Sequence, residues 1–217
     1  QEHNAWIYYS GGQELWDKLY AQFNLKPFMA GNSGTQMGGW FLNEINSVSD
    51  FKGKKLRIYS TATQQMGSML GFNATILPFA EIPQAFSTGL IEALFTSPQT
   101  GIDIQAWDNT KHFTYAGAIF SKNAVVVTKK AFNALSKGDQ SNILAAAKKA
   151  ELRGWEMSAE TTKKQIDILK TNGMSSKNAP DEVISKMKSI GLEMMKNWRS
   201  KASPEANAVL DRYLSLR

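Results

Sequence analysis

A single arginine, Arg57, stands near the end of a predicted strand and has the chemistry to bind a carboxylate. Residues 50–53 are typical of a helical turn closed by glycine, and residues 55–59 of the short strand that carries Arg57. A guanidinium offers two parallel N–H donors to the two oxygens of a carboxylate, which an ammonium group cannot do. The pattern predicts an anion-binding arginine, and the alternative is an ordinary arginine on the protein surface.

Strands and helices alternate around this arginine. The predicted strands are residues 6–9, 26–30, 55–59, 73–77, 91–95 and 122–128. The predicted helices of the same part are residues 13–23, 47–51, 61–70, 81–87 and 129–135. Residues 36–45 read as an extended segment near the site, and residues 112–120 as a mixed stretch. This alternation predicts an α/β fold with a largely parallel sheet, whose strand carboxyl ends form the edge where ligands bind.

The second half of the chain is predominantly helical. Residues 139–170 contain no proline and carry an apolar stripe, so they predict one long helix that Gly173 ends. At 1.5 Å per residue such a helix would reach roughly 48 Å, which is long enough to span two lobes. Residues 180–199 and 204–214 predict two closing helices.

Composition argues against several kinds of site. The net charge of +6 comes from lysines that interleave with acids, which favours a solvated helix surface over a nucleic-acid interface. The chain has no cysteine, and its two histidines, His3 and His112, lie far apart, so we predict no bound metal and no other cofactor. No apolar run approaches the roughly 20 residues that a membrane-spanning helix needs, so we predict no stable membrane insertion.

Catalytic motifs are missing from the sequence. The chain carries neither a Gly-x-Ser-x-Gly elbow nor a glycine-rich phosphate loop. Asp103 and Asp108 could pair as acid and base, but their surroundings are typical of a capped helix. A solute-binding protein is therefore the leading prediction, and an α/β enzyme domain is the alternative from another class.

Three motifs in order resemble one family. They are Gln-Met-Gly-Gly-Trp-Phe at 36–41, the Gly-Lys-Lys-Leu-Arg strand at 53–57, and Pro-Phe-Ala-Glu-Ile at 78–82 followed by Thr88 and Gly89. The set resembles the DctP family, the periplasmic solute-binding proteins of TRAP transporters, over nearly the whole chain. Within that family the resemblance is to the branch that binds monocarboxylates such as 2-oxo acids.

This resemblance implies both a fold and a function. It implies a two-lobed α/β periplasmic binding protein, type II-like, with a long helix spanning both lobes. The protein would hold a small organic acid in the interlobe cleft and deliver it to TRAP membrane permease subunits. Another anionic solute, a sulfonate or an aromatic acid, is the alternative ligand. Family members have a signal peptide and a substantial first segment before the position that matches Trp6, so we expect the N-terminal part of the fold to be absent here.

The resemblance also assigns site residues. The family arginine that matches Arg57 grips the substrate carboxylate, and the glutamine that matches Gln36 joins ligand and cation binding. Gln36 could instead serve the loop backbone, and Trp40 is either a pocket wall or core. Phe95 and Thr96 stand where most members have glutamate followed by asparagine or tryptophan, and in the 2-oxo-acid branch that glutamate helps to hold sodium. Phe95, as pocket wall or as core, cannot do so, and we therefore expect binding without a cation.

We expect the chain to divide between the lobes in segments. Residues 1–30 and 96–122 are assigned to the first lobe, and residues 31–95 and 123–153 to the second. Residues 154–217 are predicted helical segments that span both lobes and close back on the first.

Overall fold

A computed structural model describes residues 2–30, 35–120 and 123–216, with side chains at 4–30, 38–117, 123–158 and 160–216. The α-helices of the described residues are α1 Glu2–Tyr9, α2 Gly12–Ala21, α3 Thr61–Met69, α4 Ile82–Ser87, α5 Pro98–Asp103, α6 Lys129–Asn133, α7 Lys137–Thr171, α8 Asp181–Arg199 and α9 Pro204–Leu214. The strands are β1 Leu25–Met29, β2 Thr35–Phe41, β3 Lys55–Ile58, β4 Asn73–Ile76, β5 Ala93–Thr96, β6 His112–Phe120, β7 Ala124–Thr128 and β8 Ser175–Asn178. Short 3₁₀ turns lie at Val48–Phe51, Phe79–Glu81 and Ala106–Asp108.

The chain forms two compact units. The first comprises Gln1–Asn32, Lys122–Met157 and Met195–Arg217, and the second comprises Ser33–Ser121 and Ser158–Met194. This grouping differs from the predicted one, which placed residues 96–122 with residues 1–30 and residues 123–153 with residues 31–95. The reason is strand pairing, because β6 pairs with β2 and β8 of the second unit and β7 pairs with β1 of the first.

In the first unit, β1 and β7 form a two-stranded antiparallel sheet that contacts α2 and α6. The prediction of a strand at residues 6–9 is wrong, because these residues belong to α1, which packs on α2 and α9. Ile7 is buried while Tyr9 is 79% exposed, so one helix face carries the contacts. The strand preference of aromatic and β-branched residues is weak enough for this packing to override it.

The second unit contains a six-stranded sheet in the order β4-β3-β5-β2-β6-β8. Pairs β3–β4, β3–β5 and β6–β8 are parallel, but β2 runs antiparallel to both β5 and β6. The sheet is therefore mixed, which corrects the prediction of a largely parallel one. Residues 112–120, predicted as a mixed stretch, form the strand β6, and β8 follows the long helix without having been predicted.

Both faces of this sheet are covered, and each covered face is a core. On one face, here called the aromatic core, the rings of Phe41, Phe51, Phe72 and Phe95 pack with α3 and α8. On the other face, here called the Trp40 core, Trp40 and Phe113 pack with Leu94, Ile82 and Leu169. Successive residues of a strand point to opposite faces, so each strand contributes to both cores.

The long helix is confirmed as α7, Lys137–Thr171, and Gly173 follows it with a φ of 84°. Its residues 137–157 belong to the first unit and its residues 158–171 to the second. Within the described residues, neither α7 nor any other helix combines the length and the apolar character that crossing a membrane requires.

Candidate functional site

Arg57 lies near the carboxyl end of β3, on the Trp40-core face of the sheet. Its neighbours Leu56 and Ile58 both point into the aromatic core, so Arg57 points to the opposite face. There it lies beside Leu94 of β5, which in turn pairs with Trp40 of β2. The Arg57 residue is only 5% exposed, so the alternative of an ordinary surface arginine is wrong.

The polar contacts of Arg57 are few. Its Nε donates a hydrogen bond to the carbonyl oxygen of Leu77 at 3.1 Å, and its guanidinium carbon lies 5.8 Å from the ring centre of Tyr59. Across the described part of the chain, no carboxylate lies within 4.0 Å of it and its terminal amino groups make no hydrogen bond. Arg57 is therefore a buried cation without a neighbouring protein anion among those residues.

Burial has the expected electrostatic consequence. Desolvation lowers the pKa of the Arg57 guanidinium, and the nearby Tyr59 raises it by a smaller amount. Arginine starts from so high a pKa that it remains a cation at neutral pH. A charge held in a poorly solvated place favours an anion that can approach its free donors.

Local capping fixes where β3 begins. Ser47 and Asp50 form a capping box around the 3₁₀ turn, and the Asp50 carboxylate accepts from the backbone N–H groups of Asn46 and Ser47. These hydrogen bonds lower the pKa of Asp50. Gly53 then takes a φ of 73° and donates to the carbonyl of Gly71 at 2.8 Å, which turns the chain into the strand. The predicted capped turn at residues 47–51 is confirmed.

Thr96 ends β5 at the same edge of the sheet as Arg57, because β3 and β5 are parallel. Its side chain shares the face of Leu94 and Arg57, and its hydroxyl lies 3.1 Å from the hydroxyl of Thr100. Ser97 follows as the cap of α5 and accepts from the backbone N–H of Thr100. The edge beside Arg57 therefore carries hydroxyl groups from Thr96, Ser97 and Thr100.

Trp40 is a core residue. It is fully buried, its ring lies 4.5 Å from that of Phe113, and Gly101 packs so closely that an added Cβ would lie 2.0 Å from the indole. Its Nε1 is buried and has no hydrogen-bond partner among the described residues. Of the two alternatives for Trp40, the structure favours core over pocket wall.

Phe95 points away from Arg57. Its ring packs against those of Phe41, Phe51 and Phe72 at 5.7 to 6.4 Å, inside the aromatic core. The structure thus brings Arg57 and Thr96 to one face and puts Phe95 on the other, so of the two alternatives for Phe95 it favours core over pocket wall. The Gln36 backbone belongs to β2, but its side chain lies outside the described residues.

One functional group was missed by sequence reasoning. The acceptor that holds Arg57 is a backbone carbonyl, that of Leu77, and carbonyls leave no residue-type signal. The only local clue is Pro78, which follows the end of β4. Among the described side chains, no three His, Asp or Glu lie close enough together to share a metal ion.

Comparison with known proteins settles the family. Bacterial extracellular solute-binding protein, family 7, known as DctP, matches residues 1–201. The chain belongs to this family. It is 50% identical over 93 residues to the monocarboxylate 2-oxoacid-binding periplasmic protein of Nostoc sp. PCC 7120, an alignment covering 43% of this chain and 25% of that protein.

Solved DctP-type structures agree over nearly the whole chain. The extracytoplasmic solute receptor DctP7 of Bordetella pertussis, which binds pyroglutamic acid, superposes with a TM-score of 0.87 at 31% identity. That match covers 98% of this chain and 69% of the receptor. A TRAP periplasmic solute-binding protein of Colwellia psychrerythraea with bound calcium and pyruvate gives a TM-score of 0.84 at 29% identity, covering 99% and 66%. The predicted family and α/β fold class are confirmed.

Proposed function

We propose that this DctP-family protein is a periplasmic component of a TRAP transporter that captures a small organic monocarboxylate, and that Arg57 binds the carboxylate. The observation that carries the proposal is the burial of Arg57 without an acidic partner among the described residues. A buried charge is costly unless it is paired and hydrogen-bonded. A bound carboxylate would offset that cost by meeting the free terminal amino groups.

The relatives support this class of ligand. The Nostoc protein is named for 2-oxo acids, the Bordetella receptor binds pyroglutamic acid and the Colwellia protein holds pyruvate. Each of these acids has one carboxylate. Pyruvate and pyroglutamate are therefore the first candidates for this chain, with Thr96 and Gln36 as neighbouring polar groups.

The remaining features of the proposal follow the family. The ligand would lie in a cleft between two lobes, and the loaded protein would pass it to TRAP membrane permease subunits without changing it chemically. The chain spans 69% of the Bordetella receptor, and its alignment spans a quarter of the Nostoc protein. The interlobe cleft and the permease partner are therefore proposed from the family.

Calorimetric titration with pyruvate and pyroglutamate tests the central claim. Arg57→Lys and Arg57→Ala should both weaken binding strongly, because neither can present two parallel donors. Arg153→Ala, which removes an exposed arginine of α7, is the matched control for loss of one positive charge. Unchanged affinity in Arg57→Ala would remove Arg57 from the site.

Mass spectrometry of the acid released from natively purified protein would identify the ligand. A sulfonate or an aromatic acid would keep the anion-binding role and change the ligand class. Recovery of a chemically altered acid after incubation would instead favour the enzyme alternative.

We also propose that binding needs no sodium or calcium, unlike the calcium-containing pyruvate complex of the Colwellia protein. Phe95 offers no oxygen ligand to such a cation, and the Phe95→Glu variant would place its carboxylate in the aromatic core. A carboxylate there would be buried among three rings, so this variant should lose stability rather than gain a cation site. Loss of affinity in sodium-free buffer containing a chelator would contradict this proposal, and Gln36 would then be the first candidate cation ligand.

A further inference from the structure

The guanidinium of Arg57 has one edge occupied and one edge free. Its Nε donates to the carbonyl of Leu77 at 3.1 Å, while the terminal amino groups have no partner in the part of the chain that the structure describes. A guanidinium can bind a carboxylate either end-on, through its two terminal nitrogens, or side-on, through Nε and one of them. The contact with Leu77 uses the donor that side-on binding would require.

The Leu77 carbonyl is held on both sides. The N–H of Leu77 donates to the carbonyl of Ile58 at 3.3 Å, which extends the pairing of β3 and β4 one step past the Ile58–Ile76 pair. The next residue, Pro78, has a ring-restricted φ of −55° and starts the 3₁₀ turn, in which its carbonyl accepts from the N–H of Glu81 at 3.2 Å. The carbonyl is therefore fixed by the sheet on one side and by proline on the other.

We propose that the Leu77–Pro78 turn is a positioning device that occupies Nε of Arg57 and so makes the arginine bind its carboxylate end-on. This inference rests on the proposed function of Arg57. The guanidinium is planar and rigid, so fixing Nε also fixes the plane and the direction of the two terminal donors. Donors held in place lose less freedom when the ligand arrives, and the affinity gains accordingly.

Pro78 allows a clean chemical test. Replacing residue 78 by an α-hydroxy acid turns the Leu77 carbonyl into an ester carbonyl, which is a weaker acceptor. Because proline has no N–H, the ester removes no backbone donor that the natural protein has. Lactic acid at position 78 is compared with the Pro78→Ala variant, which has the same side chain and a normal amide.

The ester form should bind pyruvate or pyroglutamate about 2- to 10-fold more weakly than the Pro78→Ala variant, which is the effect expected for weakening one hydrogen bond. In an Arg57→Lys background the difference should vanish, because lysine has no Nε–H to be held. Equal affinities of ester and amide forms, or the same difference in the lysine background, would overturn the positioning role.

A second measurement does not depend on the ester variant folding. In the unmodified protein, nuclear magnetic resonance should show the Nε–H of Arg57 exchanging with water more slowly than that of exposed Arg153, even before ligand is added. Exchange as fast as that of Arg153 would refute the proposal. If the unmodified protein and Arg57→Ala bind these acids equally well, the proposed function fails; if only the ester and exchange results fail, the positioning role alone is lost.

Discussion

Replacing Arg57 by methionine should separate the cost of burying a cation from its use in binding. Methionine keeps a long unbranched side chain and removes the charge, the free donors and the Nε–H that holds Leu77. Removing one partner of a buried charge pair costs about 2–5 kcal/mol of binding free energy. That range corresponds to an affinity loss of about 30-fold to several thousandfold.

The free energy of unfolding without ligand should move the other way or not at all. The variant loses one hydrogen bond to a charged group, which contributes about 1.5–3 kcal/mol. It also removes a 5% exposed cation that has no acidic partner among the described residues, and it buries an apolar side chain in its place. Replacing buried charges by apolar groups of similar volume is often neutral or stabilising by about 1–4 kcal/mol, so we expect unchanged or higher stability.

Calorimetric titration and denaturant unfolding without ligand measure the two quantities. Arg153→Met, which changes an exposed side chain of α7, is the control and should alter the unfolding free energy by about 0.5 kcal/mol or less. A drop of about 3–5 kcal/mol in Arg57→Met would contradict the reasoning, because a loss of that size is typical of breaking a buried salt bridge. It would mean that a protein carboxylate already neutralises Arg57.

Three further predictions concern the cation, the packing and the first unit. Affinity for pyruvate should be the same with sodium, with calcium and in sodium-free buffer containing a chelator, and calorimetry in the three buffers measures it. Gly38→Ala should cost about 1–3 kcal/mol of stability in denaturant unfolding, because the new Cβ would lie 1.3 Å from the buried Phe113 ring. Gly191 in α8 has open space around it, so Gly191→Ala should instead stabilise the protein by up to about 1 kcal/mol. Burial, and to a smaller extent the hydrogen bond to Glu151, raises the pKa of Tyr8 to about 12. The protonated Tyr8 side chain therefore stabilises the fold fully below pH 10, and this stabilisation is lost as the pH rises to about 12. Unfolding curves of the Tyr8→Phe variant should lack that loss.

The elements with strong local signals were predicted well. The capping box at residues 47–51, the glycine stops after α3 and α7 and the proline-free stretch of α7 each act through neighbouring residues. Residues 6–9 failed because their aromatic composition suits a strand while their packing against α2 and α9 selects a helix. The antiparallel insertion of β2 between β5 and β6 depends on distant partners, and no local pattern encodes it.

The sequence placed the candidate site at Arg57 and Thr96, but it revealed neither the direction of Phe95 nor the Leu77 carbonyl. Every residue of β5 is buried, since cores cover both faces of the sheet there, so the strand shows no alternation from which the direction of Phe95 could be read. Only the register of β5 against β3 reveals that Leu94 and Thr96 share the face of Arg57. The Leu77 carbonyl required the structure outright, since it belongs to the backbone.

The same register suggests why an arginine at this position would select ligands rather than fold the protein. A carboxylate of the protein beside Arg57 would compete with the ligand, and binding would first have to break that pair. The described groups near Arg57 are instead a carbonyl, an aromatic ring and the hydroxyl-bearing end of β5, none of which neutralises the charge. Under the proposed function, the cost of burying the cation would remain in the protein without ligand, and a bound carboxylate that meets the free donors would remove it.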